Sequence, residues 1–367
     1  MCSVAEAVAL PELAHVSRFT IKRRFASYAA PILRQNFSII IKQGDLHRLA
    51  NVPKMYMNKK AFDCMRKLVD FEAFYLLDDR DMSFNTLHIP FIGKARPAWD
   101  NSYVLLPLEK QNLYWRPLRE VKKEDIPFEE KIPKVLWRGR LSGSRYKPGG
   151  AHRAKLLQRH LLSNRSDIDV KPTRLDINEM TKKELFPHYS LFYLRSKAEN
   201  LEIWRQLQSR YLICVEGNDI ATSLRWMLFS NSTVFMPIPT SEDWAMQQML
   251  IPWKHYIPIR YDFSDIADMF EWCETDGWAI CRASAYQGKN FMAAFLSPRL
   301  EHEIMKRVLN LYARRVHFYF HNDALRELQS MAPQAANEAI NVHNASDFSR
   351  EYLRFALPLP GNLNIHP

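Results

Sequence analysis

At 367 residues the chain is longer than one hydrophobic core ordinarily supports, so two domains of about 150 to 200 residues are expected, with a cleft between them. Hydrophobic residues at 47% and charged residues at 25% exclude a disordered or fibrous chain. The 51 Lys+Arg against 40 Asp+Glu give a net charge of +11, which favours polyanionic partners such as nucleic acid, anionic lipid or phosphorylated ligands without choosing among them.

The N-terminal stretch lacks a basic leader and is interrupted by Glu6, Pro11, Glu12 and His15, so no signal peptide is read and the cytosol is the expected location. No run of about 18 apolar residues occurs, which leaves peripheral contact as the only expected mode of membrane association. Cys2, Cys64, Cys214, Cys273 and Cys281 form no Cys-x-x-Cys pair and read as reduced thiols.

In chain order, short apolar runs at Phe71–Leu77, Leu87–Ile92, Tyr103–Leu108 and Val135–Trp137 predict strands with irregular connections, and a helix is expected over 151–162. The second half is more regular. Tyr211–Val215 predicts a buried strand, Ile220–Ser230 a helix, Thr233–Pro237 a strand, Ser241–Leu250 a helix and Tyr256–Ile259 a strand. Thr240 with Asp243 fits a capping box for the second of these helices, and Ser264 fits a cap for a helix over 265–272. Alternating strands and helices predict an α/β fold with a parallel, doubly wound sheet. The boundary is placed near 178–190, giving lobes of 1–185 and 186–330 and a tail of 331–367.

Two segments carry the chemistry. After the strand ending at Val215, the turn Glu216, Gly217, Asn218, Asp219 leads into a helix, so unpaired backbone N–H groups are expected to form a phosphate cradle. Gly217 allows close approach, Ala221, Thr222 and Ser223 line the turn, and Arg225 offers a fork for a diphosphate. The alternative is an ordinary strand-turn-helix connection capped by Asn218 or Asp219. In the second segment, Trp137-Arg138-Gly139 precedes a glycine-rich loop and then His152 and Arg153. Arg138 and Arg153 are candidates for neutralising a leaving diphosphate. The spacing of neither a dinucleotide fold nor a P-loop is present, and no nucleophile elbow occurs. Asp79-Arg80-Asp81 is a D-x-D pattern able to hold a divalent cation, and His317 and His321 have the spacing of one helical turn but lack a third ligand.

Trp137-Arg138-Gly139, Glu216 to Asp219, Ser223-Leu224-Arg225-Trp226, Ser230 to Val234, Trp244, Pro252 to Pro258 and Asp262 to Asp265, in this order, resemble glycosyltransferase family 90, over about residues 70 to 295 and closest to its bacterial lipopolysaccharide-core branch of the LpsA type. The resemblance implies a GT-B-like fold of two Rossmann-like lobes with a donor/acceptor cleft, and a tail packing back on the N-terminal lobe. It also implies a UDP-sugar donor, no cofactor or essential metal, and inversion by direct displacement. The base on the acceptor hydroxyl is then carried by Asp81, with Asp79 second. By the same resemblance Gly139, Gly217 to Asp219, Ala221 to Ser223, Arg225, His255 and Tyr256 bind the donor together with Arg138 and Arg153, while Lys94 and Arg96 meet the acceptor. The implied partners are a nucleotide-sugar and a glycan or glycolipid at the cytoplasmic face of the inner membrane, and no nucleic acid. Three readings compete: a metal-dependent GT-A-type transferase built on Asp79 and Asp81, a basic nucleic-acid-binding protein, and a transferase fold that has lost activity and serves as a scaffold.

Overall fold

A computed structural model describes residues 18–33, 37–41, 77–78, 92–98, 104–106, 111–142, 152–163, 165–175, 183–321 and 352–355. The chain divides into two compact units, one built mainly from 15–110 and 298–367, the other mainly from 111–297.

The first unit begins with helix α1 (Arg18–Tyr28) and strands β1 (Phe37–Ile41), β2 (Leu77–Asp78), β3 (Ile92–Gly93), β4 (Ala95–Pro97) and β5 (Val104–Leu105). β2, β3 and β5 form one parallel sheet.

The second unit opens with α2 (Gln111–Glu124) and β6 (Ile132–Arg140), then α3 (His152–His160), β7 (Ile168–Arg174), α4 (Leu191–Ser196), α5 (Ile203–Gln206), β8 (Ser209–Ile213) and α6 (Leu224–Phe229). β9 (Thr233–Met236), β10 (Ser241–Asp243), β11 (Ile257–Pro258), α7 (Ile266–Glu274) and α8 (Trp278–Ala293) complete it. Five of these strands make one parallel sheet in the order β11-β9-β8-β6-β7. Every residue of β8 and β9 is buried. Such runs, buried on both faces, are what a parallel sheet covered by helices on each side requires. Val135, Trp137, Tyr211, Ile213, Phe235, Ile257 and Phe263 form its core.

The chain then returns to the first unit through α9 (Pro298–Arg315), β12 (Val316–His321) and β13 (Tyr352–Phe355). β12 lies parallel to β1, pairing Phe37 with Val316, and antiparallel to β13. Within this unit Arg24 of α1 forms a buried ion pair with Glu301 of α9 and donates to the Tyr28 hydroxyl at 2.8 Å.

The α/β class is as expected, and the doubly wound parallel sheet belongs to the second unit; of the strands described in the first, all but β4 form two three-stranded sheets. A boundary at 185/186 would cut the large sheet between β7 and β8, because β6 pairs with β8 through Val135–Tyr211 and Leu136–Leu212. The second unit accordingly starts at Gln111.

Four local expectations are corrected. No helix spans Ser241–Leu250: Met246 has φ 56°, outside helical space, and Thr240 and Asp243 spend their side chains elsewhere. The residue preceding α7 is Asp265, whose carboxylate accepts the Arg260 N–H at 3.0 Å, while Ser264 donates to Asp262 at 2.9 Å. Cys273 and Cys281 form a disulfide across the α7–α8 corner rather than standing as thiols, which their Cα separation of 5.8 Å permits. His317 and His321 lie on strand β12, not on a helix.

Candidate functional site

In the large sheet the chain steps outward from β6 to β7 and then crosses back to place β8 on the other side of β6. The crevice beyond the carboxyl ends of β6 and β8 is therefore the switch point at which open α/β sheets bind ligands. Arg153, at the start of α3, bridges it. Its Nε donates to the Val215 carbonyl just past β8 at 3.1 Å, and its Nη1 donates to the Arg140 carbonyl at the end of β6 at 3.1 Å and to Ser142 Oγ at 3.3 Å. Nη2 makes none of the hydrogen bonds found among the described residues, which leaves one arm of the fork for a ligand.

Gly217 lies against this guanidinium. A Cβ added there would stand 3.1 Å from Arg153 Cζ and 3.2 Å from each terminal nitrogen, so only glycine lets the backbone approach so closely. The chain then turns through Asn218 to Ser223 before α6. Among the described residues no backbone carbonyl accepts from the N–H groups of Gly217, Ile220, Ala221, Thr222 or Ser223. A run of unsatisfied amides beside a guanidinium is a cradle for an anion.

A small recess of about 20 Å³ runs along the ends of β8 and β9. It is lined by His152, Cys214, Glu216, Ile220, Ala221, Leu224, Met236 to Pro239, Gln247 and Tyr261. Glu216 fixes its far wall by accepting the N–H groups of Thr240 and Ser241, both at 3.0 Å, and the Thr240 hydroxyl. The Tyr261 hydroxyl donates to the Ile238 carbonyl at 2.6 Å, and its ring lies 5.4 Å from that of His152.

Burial dominates the electrostatics here. It pushes the Arg153 guanidinium down from its ordinary value, and the carboxylates of Asp219 and Glu216 work in the opposite direction. Guanidinium starts so high that the group stays charged. Burial also pushes the Cys214 thiol up to about 12, which leaves it a neutral packing residue rather than a nucleophile.

The structure sorts the expected site residues into three groups. Arg153 and Gly217 meet at the crevice and Ala221 lines the recess, with Asp219 buried and Asn218 and Thr222 exposed on the turn. Arg138 and Arg225 are drawn away. Arg138 is buried against its own sheet, donating to Asp169 Oδ2 at 3.0 Å, to the Asp169 carbonyl at 3.2 Å and to Glu199. Arg225 is 1% exposed, pairs with Asp243 and lies 4.9 Å over the Trp244 ring. Gly139 meets Trp137, not the turn.

His255 and Tyr256 are buried outside the recess. His255 Nδ1 accepts the Ile251 N–H at 2.9 Å and its ring meets Phe291 at 5.1 Å; burial, with Lys254 nearby, holds its pKa below the ordinary histidine value. Burial raises the Tyr256 hydroxyl to about 12. In the first unit Arg96 is buried and donates to the Ser27 carbonyl at 3.2 Å, and Lys94 is half-buried. Asp79 and Asp81 lie outside the described residues.

Sequence reasoning missed the wall formed by Glu216, Gln247 and Tyr261. Glu216 carried a signal, since a carboxylate next to the cradle glycine has to find donors. Gln247 lines the recess from the irregular segment that stands where a helix over 241–250 was expected, and Tyr261 lines it from beyond β11.

Amides without backbone acceptors beside a guanidinium, at the switch point of a parallel sheet, have the character of an anion-binding site. The model of Glycosyl transferase family 90 matches residues 97–350, well over half the chain, and the protein belongs to that family. Over 216 residues it is 29% identical to the O-glucosyltransferase LpsA of Dichelobacter nodosus, an alignment covering 58% of each chain. Over 120 residues it is 31% identical to the uncharacterized protein 035R of Invertebrate iridescent virus 3, covering 32% of this chain and 11% of the viral one. The chain thus spans little more than half the length of LpsA and a small part of the viral protein. Among the described residues no helix is long and apolar enough to cross a membrane.

Proposed function

We propose that the protein transfers a sugar from a UDP-sugar to a hydroxyl of a lipopolysaccharide-core type glycan, with inversion and without an essential metal, across a GT-B-like cleft. The observation that carries the donor half of this reading is Arg153 spanning the crevice between β6 and β8 beside the unsatisfied amides of Gly217 and Ile220 to Ser223. A departing diphosphate gains charge as the glycosidic bond breaks, and a preorganised guanidinium with fixed amide dipoles stabilises that charge at no reorganisation cost. Arg153 takes this role in place of Arg138 and Arg225, whose fixed ion pairs hold them elsewhere. Asp81 remains the proposed base, with Asp79 second; both precede the residues matched by the family. The acceptor class is taken from the resemblance to the bacterial lipopolysaccharide-core branch of the family.

The test is calorimetry with UDP, GDP, CMP and ADP, each with and without EDTA. UDP binding that survives EDTA and weakens in Arg153→Lys supports the reading. Binding only with Mn²⁺ replaces it by the metal-dependent alternative on Asp79 and Asp81. Failure of every nucleotide to bind removes the donor assignment.

A further inference from the structure

A second recess, of about 630 Å³, lies at the opposite edge of the large sheet, and all its lining residues belong to the second unit. Pro127 to Glu129 come just before β6 and Asn231 just before β9, so the recess opens at the amino ends of strands whose carboxyl ends form the cradle. With β8 five residues long, the two sites stand about 15 Å apart or more. The rest of the lining comes from the first turns of α8: Trp278, Arg282 and Tyr286.

The aromatic wall is held from beneath. The Arg210 guanidinium packs 4.7 Å from the Trp278 ring and 5.6 Å from that of Phe128. Glu274 accepts from the same guanidinium at 2.7 and 2.9 Å, and Arg210 Nη2 donates to the Lys131 carbonyl at 2.8 Å. Phe128 meets Trp278 edge-on at 5.2 Å. Trp278 is therefore fixed before any ligand arrives. Tyr286 beside it is 64% exposed. At the rim Glu129 and Arg282 pair with side chains 49% and 62% exposed, placing carboxylate acceptors and guanidinium donors next to the rings with no net charge.

We propose that this recess is a saccharide-binding site, separate from the donor crevice, that takes neutral hexose units of a glycan. A pyranose ring offers an apolar face of C–H bonds and an equatorial rim of hydroxyls. Fixed aromatic faces receive the first, and the Glu129–Arg282 pair, able to accept and to donate, receives the second. The volume lies within the range of small-ligand sites and admits more than one ring. Balanced charge disfavours an anionic ligand here, in contrast to the cradle. The site would hold a long glycan on the enzyme while its end is extended elsewhere.

Saturation-transfer NMR and calorimetry with maltohexaose and cellohexaose test this on the full chain, beside UDP titrations of the same samples. The expected result is binding of at least one oligosaccharide that weakens about 2- to 10-fold in Tyr286→Ala, the worth of one aromatic contact, and similarly in Arg282→Ala. UDP affinity should stay unchanged in both variants. Trp278→Phe should retain more binding than Trp278→Ala, and the exposed Tyr286 and Arg282 variants decide the matter if the latter misfolds. No binding of either oligosaccharide, or binding indifferent to Tyr286 and Arg282, overturns the proposal. A protein that binds oligosaccharide but no nucleotide keeps this site and loses the donor reading; one that binds UDP alone does the reverse.

Discussion

Arg153→Lys separates the anchoring of the crevice from the binding of the anion, because lysine keeps the charge and loses the fork. The guanidinium makes three hydrogen bonds, to Val215 O, Arg140 O and Ser142 Oγ, at 3.1, 3.1 and 3.3 Å. They are long for charged donors, so their combined loss, partly recovered by the ammonium, should cost about 1–3 kcal/mol of stability. For a domain of this size that lowers Tm by about 2–12 °C. If Nη2 meets the diphosphate, losing one charge-assisted bond of about 1.5–3 kcal/mol should weaken UDP about 10- to 150-fold. Calorimetry at a temperature where both proteins are folded, with denaturant unfolding alongside, reads the two effects independently. A variant that loses stability but binds UDP as the parent does refutes the assignment, for Arg153 would then be a strut and nothing more.

Gly217→Ala brings a methyl to 3.1 Å from Arg153 Cζ, so UDP affinity should fall while Tm shifts by only a few degrees, checked by the same pair of measurements. Arg225→Ala should destabilise by about 3–5 kcal/mol in urea unfolding because it strands the buried Asp243 carboxylate, and Arg225→Met with Asp243→Leu should recover part of that. Reduction should raise the thiol count by two and cost about 2–3 kcal/mol through the short loop closed by Cys273 and Cys281, read by thermal shift with and without reductant. Burial by itself would raise the Asp169 carboxyl, but Arg138 and Lys134 hold it below its ordinary value. This stability is present above the unfolded pKa and lost as pH falls through the folded one, so Arg138→Gln should move the acid-unfolding midpoint to higher pH and leave UDP binding unchanged.

The strands of the large sheet were legible because they are buried on both faces and punctuated by turn residues: 211–215 and 233–237 differ from β8 and β9 by no more than two residues at either end. The close approach of backbone at Gly217 was legible too, since a glycine after a buried strand is a local signal. The helix over 241–250 was not, because what forbids it is tertiary: Thr240 is taken by Glu216, Asp243 by Arg225, and Met246 adopts positive φ. The disulfide was illegible for the same reason, as the α7–α8 corner alone brings Cys273 to Cys281.

The fate of the arginines shows where sequence reasoning about charge runs out. Arg138, Arg153 and Arg225 all follow or flank strands at the carboxyl edge, and by spacing each could face a diphosphate. What distinguishes them is which carboxylate lies within reach. Arg138 has Asp169 on the neighbouring strand and Glu199 beyond it, and Arg225 has Asp243. Arg153 is hydrogen-bonded by carbonyls, and the carboxylates of Asp219 and Glu216 act on it only through space. An arginine kept in place by neutral acceptors retains its attraction for an incoming anion, whereas one held by a carboxylate must break an ion pair first. That difference is the ground on which we propose Arg153 as the diphosphate residue, and it is set by long-range packing that no window of the sequence contains.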